Sequence, residues 1–178
     1  MTRFLAGSSV VAAALACAVT LGCKGVTDPH QSELSLLRNA TQSFTDVAAA
    51  AAAGFTVPVT GCMVDPQLGG MGFHVGNQAY INGTVELEKP EVLLYEPEVG
   101  GGRQLVAVEY IVPFDLWTAA TPPVLMDQTF KRNEQFGVWA LHVWLYRDNP
   151  SGIFADWNPR VSCAAAPPAA GESAPMNH

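Results

Sequence analysis

Apolar side chains recur at helical spacing in one stretch of this chain, from Ser32 to Ala53. Leu34, Leu37, Thr41, Phe44, Val47, Ala48 and Ala51 mark a single stripe there. Ser32 supplies an N-cap, and Gly54 stands where a glycine ends a helix. The alanines from 48 to 53 make that end narrow enough to approach a sheet closely. Glu33, Arg38 and Asp46 interrupt the segment, which argues against membrane insertion.

After Cys62 the pattern changes to that of strands. Thr84 to Leu87, Val92 to Glu96, Leu105 to Val112 and Val138 to Tyr146 are rich in Val, Leu, Tyr and Trp. Glu98-Val99-Gly100-Gly101-Gly102-Arg103 reads as a hairpin loop joining the second and third of these. Residues 114 to 136 carry Pro122-Pro123 and little periodicity, so they predict a long irregular excursion over one mouth of the sheet. Turn residues return from Asn149 to Pro159. Residues 164 to 178, after Cys163, are mostly Ala, Pro, Gly and Ser and predict a disordered tail. The expectation is an α+β domain over residues 32 to 163, its N-terminal helix packed on a curved, mostly antiparallel sheet or partly closed β-barrel.

Strand parity then singles out polar residues. Leu105, Ala107, Glu109 and Ile111 share one side of their strand, so Glu109 is a carboxylate in an apolar row. Val138, Ala140, His142, Trp144 and Tyr146 likewise share a face. A buried, unpartnered carboxylate costs several kcal/mol, so a positive group, a histidine, a metal or a ligand should meet Glu109. Glu96 is a weaker member because it ends its strand. His74 closes the stretch GGMGFH, read as a flexible loop beginning near Cys62. If the sheet curves, His74, His142 and Glu109 converge into a set suited to one transition metal, zinc or copper. Met71 could add a thioether, which favours copper. A metal-free polar cluster of His142 with Glu109 is the plainer alternative, and Met71 as simple packing is another. Tyr110, Trp144, Tyr146 and Asn158 are candidates to line the same pocket, although large aromatics more often build core.

Composition narrows the classes. The chain has 178 residues, 49% apolar and 14% charged, enough for one domain with a sizeable core. From residue 23 onward 8 Lys and Arg face 16 Asp and Glu, a net −8 without a basic stripe, which argues against nucleic acid as a partner. No G-x-S-x-G elbow, Walker loop, dinucleotide fingerprint or H-E-x-x-H is present.

Residues 1 to 22 have the layout of a signal peptide: Arg3, then an uncharged run from Phe4 to Leu21 that is short for a bilayer span. Val19-Thr20-Leu21-Gly22-Cys23 resembles the lipobox of bacterial lipoproteins, with Thr20 in place of the usual leucine. That resemblance implies lipidation at Cys23, a membrane anchor, and a tether over residues 23 to 31. Ala14-Leu15-Ala16-Cys17 offers another cleavage site. With Cys17 discarded and Cys23 acylated, Cys62 and Cys163 are left to form a disulfide, closing a loop of about 100 residues and contributing on the order of 4 kcal/mol. Two separate thiols or soft metal ligands are the rival reading.

GGMGFH, PEVLLYEP, LVAVEYIVP and LHVWLYRDNPSGIFADWNP together resemble a group of uncharacterised exported bacterial proteins over residues 40 to 163. The resemblance implies an exported compartment and attaches no activity. The functional expectation is an exported, lipid-anchored or secreted cell-envelope protein with a His/Glu pocket for a metal ion or small molecule. A metal-assisted hydrolase or oxygen-using enzyme at the same pocket, with Glu109 as general base, is the enzymatic alternative. A structural or interaction protein without a small-molecule site is the third.

Overall fold

A computed structural model of the chain describes residues 30–167. The predicted signal peptide, the expected lipidation at Cys23 and most of the predicted tail lie outside the described residues. The chain runs through α1 (Gln31–Thr41), a 3-10 turn (Gln42–Thr45) and α2 (Val47–Ala52) before entering the sheet. The single helix predicted over 32 to 53 is therefore broken in its middle. The cause is local: Thr41 and Thr45 hydroxyls bond back to the carbonyls of Leu37 and Gln42 at 2.7 and 2.8 Å. Asp46 then caps a fresh helix by accepting from Ala48 N at 2.8 Å. Short polar side chains that bond their own backbone compete with helix continuation.

The sheet is built from β1 (Phe55–Asp65), β2 (Gly69–Asn77), β3 (Val92–Pro97), β4 (Arg103–Pro113), β7 (Lys131–Asn133) and β8 (Val138–Val143), with a separate small ladder of β5 (Val124–Leu125) and β6 (Gln128–Thr129). Its order is β1-β2-β3-β4-β8-β7 with every neighbour antiparallel, and it curls into a half-barrel. GGMGFH lies within β2 rather than in a loop. β1 escapes a propensity reading because Pro58 and Gly61 interrupt it, but it is an edge strand, where a proline is tolerated. Thr84 to Leu87 form no strand: Asn82 Oδ1 accepts from Thr84 N at 2.9 Å and Lys89 N donates to Glu86 O, which commits this backbone to turns. The excursion from 114 to 136 is mostly irregular, yet it delivers β7 as the far edge of the sheet.

Each face of the sheet carries its own core. Leu37, Phe55, Leu93, Tyr95, Tyr110, Val112, Leu141 and Val143 fill the helix side. Val92, Leu94, Ala107, Ile111, Ala140, Met71 and Trp144 fill the other. One bulge corrects the predicted parity. Leu94 pairs with Ala107 but Tyr95 pairs with Leu105, leaving Val106 as the extra residue. Leu105 thus joins the helix-side core, while Ala107, Glu109 and Ile111 stay together opposite. The Val106 carbonyl accepts from both Tyr146 N and Arg147 N at 3.1 Å. These bonds help turn the chain away after β8, which ends at Val143 rather than Tyr146.

Beyond β8 the chain crosses the second face in an irregular path held by asparagines. Asn149 Nδ2 donates to Trp157 O at 3.0 Å and Asn158 Nδ2 to Asp148 O at 3.2 Å. Asn158 also bridges β2 through paired 3.0 Å backbone bonds with Gly70. A disulfide joins Cys62 on β1 to Cys163, 101 residues later, with Cα atoms 5.8 Å apart. The glycines of GGMG now have a reason. A Cβ at Gly69 would lie 2.3 Å from Asn158 O, and one at Gly72 would lie 2.4 Å from Tyr95 O. Both adopt positive φ, +101° and +88°, which side chains disfavour.

Candidate metal centre

Glu109 on β4 and His142 on β8 are direct register partners, as are His74 on β2 and Thr60 on β1. His74 and Glu109 are not neighbours, because β3 runs between their strands. In a flat sheet those strands would stand about 10 Å apart; the curl and the two long side chains close the gap. His74 Nε2 lies 3.7 Å from Glu109 Oε2, and His142 Nε2 lies 3.6 Å from Glu109 Oε1. The imidazoles meet edge to face, with ring centres 6.1 Å apart. One ligating atom from each residue falls within 4.8 Å of the other two, so the trio could hold a metal ion. Donors bound to one tetrahedral ion at about 2.0–2.2 Å sit roughly 3.4 Å apart. Each imidazole is near that distance from a different Glu109 oxygen, so a small movement of the side chains would bring one atom of each onto a common ion.

All three side chains are buried. Their mutual contacts are longer than hydrogen bonds, and His142 Nε2 has no hydrogen-bond partner among the described residues. An orphaned imidazole nitrogen aimed at a carboxylate is the donor arrangement a cation would complete. The far nitrogens face polar groups, and that of His74 is held by a hydrogen bond. His74 Nδ1 lies 2.7 Å from Thr60 Oγ1, and that hydroxyl also donates to Gly61 O at 3.0 Å. Both bonds form together only when Nδ1 carries the imidazole proton, which turns the Nε2 lone pair toward Glu109. His142 Nδ1 faces Asp156 Oδ1 at 3.8 Å, and Asp156 in turn accepts from Lys131 Nζ at 2.8 Å. A hydrogen-bonded outer partner such as Thr60 fixes the ring orientation of a ligating histidine; Asp156 supplies His142 with a nearby negative charge instead.

Without a cation the cluster is close to neutral. Burial pushes the Glu109 carboxyl up to about 8, assisted by the negative charges of Asp156 and Glu91. It pulls His74 down to about 3, with the neighbouring His142 adding to the effect. His142 falls to about 4 through burial and the Lys131 charge. Glu109 and the histidines are therefore no ion pair near neutral pH; a carboxylic acid faces two neutral rings. A divalent ion would take that proton's place, so binding would release it.

The trio opens onto a cavity of about 550 Å³ between the two edges of the half-barrel. Val59, Met63, Ile81, Ile111 and Trp157 supply apolar wall, and the Lys131–Asp156 pair stands at the polar side. Met71 also lines it. Gly72 breaks the alternation of β2, so Met71 and His74 face the same cavity although three residues apart.

The remaining candidates sit elsewhere. Tyr110 belongs to the helix-side core and its hydroxyl donates to Leu87 O. Tyr146 turns to the same side, 2.8 Å from Thr41 Oγ1 and under the Arg38 guanidinium. Trp144 is on the cavity's face of the sheet but in the packed core, its Nε1 donating to Ala155 O at 2.7 Å. Glu96 pairs with Arg147 and accepts from Ser162 N at 2.9 Å, tying down the C-terminal segment. Asn158, fully buried, serves backbone. Cys62 and Cys163 are bridged and so supply no metal ligand. Sequence reasoning missed Thr60, Met63 and Lys131. The first two lie on the unrecognised edge strand β1, and the third on a three-residue strand too short to leave a period.

Comparison with protein-family models, with curated proteins and with solved structures gives no match.

Proposed function

We propose that the protein is an exported metal-binding protein holding one transition-metal ion, zinc or copper, on His74 Nε2, His142 Nε2 and a Glu109 oxygen. The observation that carries this reading is the convergence of three buried donors from three strands, one of them an imidazole nitrogen without a hydrogen-bond partner among the described residues. Two imidazoles and one carboxylate suit zinc and leave coordination room for a further ligand. Met71 in the same cavity would favour copper. Export is supported by the disulfide and by the signal-like N-terminus, and the membrane anchor at Cys23 rests on the lipobox likeness. The cavity beside the trio favours, as a second reading, a metal-assisted hydrolase or oxygen-using enzyme at the same centre. Metal content of protein purified from an oxidising compartment tests the proposal. The expected result is about one ion per chain, lost in His74→Ala and His142→Ala. Folded wild-type protein that stays metal-free after exposure to zinc and to copper would contradict it.

A further inference from the structure

We infer that the metal-loaded centre binds a small monocarboxylic acid with an apolar body, its carboxylate on the ion and its hydrocarbon part in the cavity. This rests on the metal reading above. A divalent ion held by one carboxylate and two neutral imidazoles keeps a net single positive charge. No other anion among the cavity-lining residues is free to cancel it: Asp156 is engaged by Lys131, and Glu134 by Arg132. Arg132 itself stacks over Phe114 and Trp139. An uncompensated charge in apolar surroundings is costly, so the fourth ligand should be anionic.

The walls decide what kind of anion. Beside the trio stand Val59, Met63, Ile81, Ile111 and Trp157. A cavity of about 550 Å³ is within the range of small-molecule sites and takes a single aromatic ring or a short acyl chain. A phosphate or sulfate would leave these side chains uncovered. A carboxylate with an apolar tail satisfies both the ion and the walls.

The test uses the full chain loaded with Co²⁺, whose visible spectrum reports a change of ligand. Acetate, butyrate, hexanoate and benzoate are titrated in, with hexanol and benzylamine as neutral and cationic controls. The inference predicts a saturable spectral change with the acids alone. Affinity should rise about twofold to fourfold for each methylene added from acetate to hexanoate. Ile81→Asp, a wall variant, should still bind Co²⁺ but lose at least tenfold in hexanoate affinity. Bound Co²⁺ whose spectrum ignores the acids, or equal affinity for acetate and hexanoate, would overturn this inference and leave the metal centre standing. Failure to bind Co²⁺ at all would remove both.

Discussion

The chemistry of the centre turns on a proton. Glu109 and Glu91 are both buried, and each is pushed up to about 8 mainly by burial. Between their ordinary 4.5 and that value the folded chain holds protons that the unfolded chain releases. Stability therefore falls as pH rises through this window. His74 and His142 act oppositely. Their ordinary value is 6.5, and the folded protein keeps them neutral down to about 3 and 4, so stability rises with pH up to about 6.5. The trends oppose each other below 6.5, and only the carboxyls act above it. Metal-free protein should show a melting temperature that is nearly level from about pH 5 to 6.5 and declines toward pH 8. Glu109→Gln should soften the decline, and a saturating divalent ion should soften it too. A melting temperature that climbs between pH 6.5 and 8 would refute this protonation scheme. Thr60 offers a second residue-level test. Thr60→Val removes the oxygen behind His74 Nδ1 and should weaken metal binding by about 10- to 100-fold, while Thr60→Ser should keep most of it. Equal affinities for the two variants would mean that the hydroxyl does not orient the ring.

Among the elements, β2 is the most constrained. Gly72 lets β2 approach Tyr95 O and puts Met71 and His74 on one side. Gly72→Ala would force a side chain into a positive-φ position against backbone and should cost about 2 kcal/mol or more, with loss of metal binding. Unchanged melting and metal affinity would show that β2 has room to relax. What the sequence could reveal about these elements followed from their contacts. Glu109 and His142 stand on strands whose alternation is long and apolar, so parity alone places both inward. The bulge at Val106 left no local sign, because Leu105 and Ala107 are apolar on either face. β1 was hidden for a related reason: an edge strand tolerates the proline and glycine that a propensity reading treats as breaks. The helix looked continuous because its apolar stripe persists through Gln42 to Asp46, where side-chain bonds to backbone win over helix geometry.

For the whole molecule, the centre depends on holding the two ends of the sheet and the C-terminal segment together. The Cys62–Cys163 bridge fastens edge strand β1 to that segment, which also presents Asp156 and Trp157 to the cavity. Reduction, or Cys62→Ser with Cys163→Ser, should lower stability by about 2–5 kcal/mol, read by denaturant unfolding, and should loosen metal binding. Equal unfolding midpoints for oxidised and reduced protein would remove the bridge from this account. The central claim, that three strands converge to present His74, Glu109 and His142 to one cation, is tested most directly by crystals of zinc-loaded protein measured at the zinc absorption edge. The account predicts one strong anomalous peak about 2.0–2.2 Å from both Nε2 atoms and a Glu109 oxygen. A peak at some other place on the chain, with these side chains turned away from one another, would contradict it.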